Sequence, residues 1–131
     1  MMVMKAIEEF TLQEGIAEIT GWIVTGGSKR GWTSWLVGSA NCTTCPKIVG
    51  LVPLVPITPN LIKALKWQWM AYNAWTFAIQ DFLDVGMMQV LDDPIMIEGI
   101  SLIDPAFYID VLDKIPKLSI VSSDDEFMMF D

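Results

Sequence analysis

Apolar and polar residues alternate along this chain in stretches that predict helices separated by short buried strands. Residues 1–13 place Val3, Ile7 and Phe10 on one side of an amphipathic helix, with charged side chains elsewhere. Residues 16–25, which contain the β-type run Trp22-Ile23-Val24, then predict a first strand. A helix follows it to about Ala40, because residues 32–37 contain neither glycine nor proline.

The second half of the chain continues this alternation. Residues 48–55 are apolar at successive positions, which is typical of a strand buried on both faces of a parallel sheet. Asp92-Asp93-Pro94 and Asp104-Pro105 each predict the start of a helix, and residues 117–121 predict a third strand. The order α-β-α-β-α-α-β indicates an α/β fold with a mostly parallel sheet.

Residues 65–85 predict one long helix with apolar residues nearly all round. Such a helix is either an aromatic core helix or a lid that faces a substrate. Its large apolar residues are Leu65, Trp67, Trp69, Tyr72, Trp75, Phe77, Ile79, Phe82 and Leu83.

The candidate chemistry lies where the first strand gives way to the following helix. Ser28 stands between Gly26-Gly27 and Gly31, a pattern typical of a strand-to-helix turn that presents a nucleophilic serine. Gly26 and Gly27 tolerate the positive or crowded dihedrals of such a turn, and Gly31 lets the helix approach the strand. Lys29 would open the helix with its N–H aimed at a substrate oxyanion. The alternative is a structural turn, since the second glycine falls one position later than in Gly-x-Ser-x-Gly.

Composition narrows the function classes. The 131 residues are enough for one domain or part of one, and 53% of them are apolar. A net charge of −8 without a basic stripe argues against a nucleic-acid partner. No apolar stretch approaches the roughly 20 residues of a membrane-spanning helix, because Pro53 and Pro56 interrupt the most hydrophobic region.

The chain contains no histidine, although serine hydrolases of this geometry use histidine as the general base. Asp125 follows the predicted third strand, as Ser28 follows the first, and functional groups collect at the carboxyl ends of parallel strands. Serine followed by aspartate is the order of an α/β-hydrolase, whose histidine comes later. We therefore expect the base to lie beyond Asp131.

Cys42 and Cys45 are the only cysteines. A zinc site would need a second cysteine pair or histidines, so a local disulfide or two free thiols is favoured and no metal or cofactor is expected. Asn41-Cys42-Thr43 is also a glycosylation sequon, which has meaning only in a secreted eukaryotic protein.

Four segments together resemble the PhoPQ-activated pathogenicity-related proteins, a group that includes the autocrine proliferation repressors. The resemblance extends from about Met4 to the end of the chain. Its segments are Val24 to Thr33 around the serine, Ala78 to Phe82, Ile103-Asp104-Pro105 with Tyr108, and Pro116-Lys117-Leu118 leading into Asp125-Glu126-Phe127.

This resemblance implies part of an α/β-hydrolase fold in a single partial domain, residues 1–131, with helices on both sheet faces. The serine turn lies near 23–40, a helical lid insertion at about 61–113, and the acid-bearing strand end at 117–126. Ser28 would be the nucleophile and Asp125 the triad acid, although Asp124 leaves that assignment ambiguous by one position. Further strands and the histidine would lie outside these residues.

Two functions follow as expectations. The first is a serine hydrolase that cleaves a small ester, amide or peptide through Ser28, with the Lys29 N–H in the oxyanion hole. The second is a secreted signalling protein that binds a cell-surface receptor on a non-catalytic hydrolase scaffold. The resemblance alone implies a secreted or extracellular location, periplasmic in a bacterium.

Overall fold

The computed structural model of this protein describes residues 1–40, 44–56, 59–123 and 125. It is a mixed α/β arrangement of helices and a small two-stranded parallel sheet. The helices and strands are α1 (Met2–Gln13), β1 (Trp22–Gly27), α2 (Lys29–Ser39), β2 (Ile48–Leu54), α3 (Leu61–Tyr72), α4 (Gln80–Asp84), α5 (Pro94–Ser101) and α6 (Ile109–Leu112). Three 3₁₀ turns cover Phe77–Ile79, Met87–Val90 and Pro105–Tyr108.

The two strands pair in parallel, with Gly27 opposite Leu54 at their carboxyl ends. The predicted third strand forms only two parallel bridges on the other side of β2, Leu51 with Lys117 and Leu54 with Ile120. The N–H of Leu51 donates to Pro116 O (3.0 Å), and the N–H of Val55 donates to Ile120 O (2.7 Å). Pro53, midway between these two donors, accepts from the Ile120 N–H (3.0 Å) but has no N–H to donate, so the ladder lacks one bond between the bridges.

Helices cover one face of this sheet in the part of the chain that the structure describes. Trp35 of α2 and Leu112 of α6 pack against Leu51 of β2, and all three side chains are buried. On the opposite face Ile23 is 66% exposed. The expected parallel sheet with helices on both faces is therefore observed only in part.

A second cluster of buried side chains lies among the helices after β2. Trp32 of α2 packs against this helical cluster, so α2 contacts both cores. Its buried members are Leu61, Leu65, Ile79, Met88, Leu91 and Ile100.

The prediction of one helix over 65–85 was wrong. Helix α3 begins at Leu61 and ends at Tyr72, because Asn73 takes a left-handed conformation (φ 51°) that terminates it. Trp75 then folds back and its indole N–H donates to Leu65 O (3.2 Å). One side of α3 joins the core, as the alternative of a core helix predicts, and the other side is open, with Trp69 43% exposed.

Most other predicted boundaries agree with the structure. Helix α1, strand β2 and the helix start at Pro94 are confirmed, the last with the Asp93 carboxylate accepting from the Ile95 N–H (2.8 Å). Strand β1 begins at Trp22, later than predicted, because its pairing with β2 begins there. Among the described residues, no helix combines the length and hydropathy that crossing a bilayer requires.

Candidate active site

Ser28 occupies the turn between β1 and α2 with backbone angles of φ 52° and ψ −122°. These angles are costly for a residue with a side chain, by about 1–3 kcal/mol, and such strain concentrates at functional sites. Two backbone hydrogen bonds hold the turn. The Ser28 N–H donates to Leu54 O (2.9 Å), and the Ser28 carbonyl accepts from the Trp32 N–H (3.1 Å).

Glycines on either side of the turn allow the strand and the helix to approach closely. A Cβ at Gly26 would lie 2.6 Å from Arg30 O, and one at Gly31 would lie 2.8 Å from Leu54 O. Gly31 therefore has the predicted role. Of the positive or crowded conformations expected at Gly26 and Gly27, the crowding is observed at Gly26, whereas a Cβ at Gly27 would meet no atom within 4 Å and the positive φ belongs to Ser28.

The side chain of Ser28 is exposed at the amino end of α2. Ser28 is the N-cap residue, yet its hydroxyl makes no capping hydrogen bond to the helix. The N–H groups of Lys29 and Arg30 belong to the first turn, where the α-helix offers no acceptor. An oxyanion beside Ser28 would meet these donors and the positive end of the helix dipole.

A second strained residue directly follows β2, at the same edge of the sheet as Ser28. Val55 has φ 38°, a genuine outlier for a β-branched side chain. Its N–H donates to Ile120 O, and the preceding carbonyl, Leu54 O, accepts from Ser28. Two strained positions thus follow the carboxyl ends of two adjacent parallel strands, where functional groups of such sheets collect.

Asp125 follows the segment that bridges to the far side of β2. That segment and β1 both run parallel to β2, so their carboxyl ends point to the same edge. Two strand spacings, roughly 10 Å, separate the ends of the two strands, and Asp125 lies five residues beyond the bridge at Ile120. Asp125 is partly buried, and Asp124 lies outside the described residues.

The family model for PhoPQ-activated pathogenicity-related protein matches residues 1–131. The chain belongs to this family. It is 38% identical over 128 residues to autocrine proliferation repressor protein A of Dictyostelium discoideum, an alignment that covers 98% of this chain and 25% of that relative. The chain thus spans about a quarter of the relative's length. No solved structure matches it.

Asp104 of this family member has a larger role than sequence patterns indicated. It caps the following 3₁₀ turn as predicted, accepting from the Ala106 N–H (2.9 Å). It is also 1% exposed and accepts from the N–H groups of Asn60 (2.9 Å) and Leu61 (2.6 Å), which begin α3. An Asp before Pro predicts a cap on the helix that follows it. It does not predict that the same carboxylate also binds the start of α3, which lies far earlier in the chain.

Trp32 is the second residue whose role the sequence did not indicate. Its indole N–H donates to the carbonyl of Ile103 at 2.6 Å. This bond ties α2, which carries the serine turn, to the segment that contains Asp104. The position of an aromatic residue one turn after the serine does not predict a hydrogen bond to Ile103, which lies much later in the chain.

Other candidate chemistry in this family member is limited. Within the described ranges, no group of three or more His, Cys, Asp or Glu side chains could hold a metal ion. Cys45 is disulfide-bonded, whereas Asn41 and Cys42 lie outside the described residues. A cavity of about 450 Å³ lies among the helices that follow β2. It is lined by the paired rings of Trp69 and Trp75 (centroids 4.4 Å apart) and by the exposed Lys66–Asp92 ion pair.

Proposed function

We propose that this chain carries the nucleophile and the acid of a serine hydrolase of the α/β-hydrolase type. The observation that supports this most is the strained backbone of Ser28 at the end of β1, with its hydroxyl exposed and uninvolved in capping. A serine that only ended a turn would gain from a relaxed conformation or from a capping bond. The cost of the strain is consistent with a need to present Oγ.

The proposed reaction is acyl transfer from an ester or amide. Ser28 Oγ bonds to the substrate carbonyl carbon while a histidine accepts the hydroxyl proton. The Lys29 N–H donates to the oxyanion, and the bond to the leaving group breaks as the histidine returns the proton to it. Water then repeats the sequence on the acyl-serine and restores the hydroxyl. Asp125 orients the imidazole.

The histidine in this proposal comes from outside these residues, since they contain none. The relative is about four times as long as the matched region, which leaves ample chain to supply it. The proposed domain organisation is the one that the family resemblance implies. It has the serine turn at 23–40, a helical insertion at 61–113 and the acid-bearing strand end at 117–126. These regions belong to one partial domain, which further strands of the protein would complete.

A second function is supported by the name of the relative, autocrine proliferation repressor protein A. In this alternative the protein is secreted and regulates cells by binding a receptor, and the hydrolase scaffold carries no turnover. The exposed apolar residues of α1 favour a binding surface, since Met2 is 87% exposed and Val3 is 71% exposed.

Burst kinetics with an activated ester separates the two functions. In the full-length protein, a nitrophenyl ester should release about one equivalent of nitrophenol per chain in a fast phase, followed by slower turnover. The burst indicates an acyl-serine intermediate, which a protein that only binds a receptor does not form. A linear progress curve at the rate of a denatured control would favour the receptor-binding function.

A further inference from the structure

The cavity among the helices that follow β2 is a second candidate site. Lys66 and Trp69 line it from the last half of α3, and Gln89 and Asp92 line it from the 3₁₀ turn at Met87–Val90 and the residues directly after that turn. None of the described residues that line it belongs to the serine turn. Its volume of about 450 Å³ is within the range of sites that bind small molecules, roughly 300–1,000 Å³.

An aromatic platform forms one wall of this cavity. The ring centroids of Trp69 and Trp75 lie 4.4 Å apart, and the ring planes are tilted by 33°. Trp75 is anchored, because its indole N–H donates to Leu65 O and its ring packs on the helical cluster. Trp69 is exposed. Since the two rings contact each other, no slot between them admits a flat ligand, and a ligand can reach Trp69 only on its open side.

Polar groups of both charge signs lie beside the platform. Lys66 and Asp92 form an exposed ion pair, and Gln89 adds a carboxamide. The ammonium has three donors and the carboxylate has several acceptor positions, so the pair leaves hydrogen-bonding capacity for a ligand. Neighbouring donors and acceptors of this kind match adjacent hydroxyl groups, because each hydroxyl can both donate and accept.

These features favour a neutral ligand with several hydroxyl groups. A carboxylate ligand would be repelled by Asp92, and an amine would be repelled by Lys66. An entirely apolar ligand would displace water from the ion pair without replacing its hydrogen bonds. A sugar ring avoids both costs. One face of a pyranose presents C–H groups to the negative face of an indole, while its hydroxyl groups reach the polar side chains.

We propose that the cavity beside Trp69 binds a neutral saccharide, with a sugar ring stacked on the indole and adjacent hydroxyl groups bound by Lys66 and Asp92. This site goes beyond the proposed hydrolase function and does not depend on Ser28. Binding to it requires no turnover, so a failure of catalysis and a failure of this site are observed separately.

Isothermal titration calorimetry of the full-length protein with three neutral trisaccharides tests the proposal. The probes are maltotriose, cellotriose and the trimer of N-acetylglucosamine. At least one should bind with a Kd of about 0.1–1 mM, because one stacked ring and a few hydrogen bonds are offset by the lost freedom of the ligand. Failure of all three to bind at about 10 mM would overturn the proposal.

Trp69→Ala should weaken this binding about tenfold, because it removes the platform. Trp67→Ala is the matched control. Trp67 lies on the same helix, is not among the described residues that line the cavity, and has Lys63 Nζ 4.0 Å from its ring centroid. This control should keep the affinity within about twofold. Equal losses in the two variants, or no loss in Trp69→Ala, would overturn the assignment of the site.

Asp92→Asn tests the polar half of the site. The side chain is exposed and the substitution keeps its shape, so the fold should be unchanged. Saccharide binding should weaken about tenfold, the cost of a hydrogen bond to a charged group. Unchanged saccharide affinity in this variant would contradict the role of the ion pair.

Benzyl alcohol and adenosine are the comparison probes, since they represent an apolar ligand and a flat heterocyclic ligand. Both should bind more weakly than the best trisaccharide. If either binds more tightly than every trisaccharide, and Trp69→Ala removes that binding, the cavity takes a different class of ligand and the saccharide proposal is overturned.

Discussion

Replacing Ser28 with alanine is expected to lower ester turnover in the full-length protein by about 10⁶-fold. The variant keeps the turn but has no oxygen to attack the carbonyl, and the oxyanion donors of α2 cannot replace that step. The measurement is kcat with a nitrophenyl ester, corrected for hydrolysis by the medium.

The control for this variant is Ser122→Ala. Ser122 is exposed and lies beyond Ile120, near the same edge of the sheet. It should retain wild-type turnover. Comparable activity in Ser28→Ala and the wild-type protein would show that the nucleophile lies elsewhere.

Replacing Asp125 with asparagine should reduce turnover by about 10⁴-fold, or about 5 kcal/mol in activation free energy. The carboxylate is expected to hold the histidine in the tautomer that accepts the Ser28 proton and to stabilise the imidazolium that forms. An amide can present its N–H to the ring instead and favour the wrong tautomer. The readout is kcat, since substrate binding should change little.

Asp124→Asn is the matched control, one position earlier in the chain. It should retain most activity if Asp125 is the acid. The reverse pattern would assign the acid to Asp124 and shift the strand end by one residue. Full activity in both variants would contradict a triad acid in this segment.

The serine turn could be predicted because the information lies within a few neighbouring residues. An apolar run, a serine among glycines and a stretch without helix breakers indicate a strand, a turn and a helix, and β1, Ser28 and α2 follow that order. The expectation of positive or crowded conformations at Gly26 and Gly27 holds only for the crowding at Gly26, because glycine serves both needs and the sequence does not say which. Here the lack of a side chain at Gly26 leaves space for Arg30, while Ser28 adopts the strained backbone conformation with a positive φ.

The features that could not be predicted depend on contacts between distant residues. Asn73 ends α3 in a left-handed conformation, and the aromatic periodicity around it gives no sign of that break. The third strand is reduced to bridges because Pro53 of its neighbour lacks a donor, a consequence visible only once the pairing is known. Asp104 follows a local capping pattern and also binds the start of a helix far earlier in the chain.

The most direct test of the central claim is to map the residue that a fluorophosphonate modifies in the full-length protein. The probe reacts with a serine that has been activated as a nucleophile, and mass spectrometry of the digested protein identifies the modified residue. The account predicts one phosphonylated residue, Ser28, and no labelling of Ser28→Ala. Labelling of a different serine, or equal labelling of the alanine variant, would contradict it.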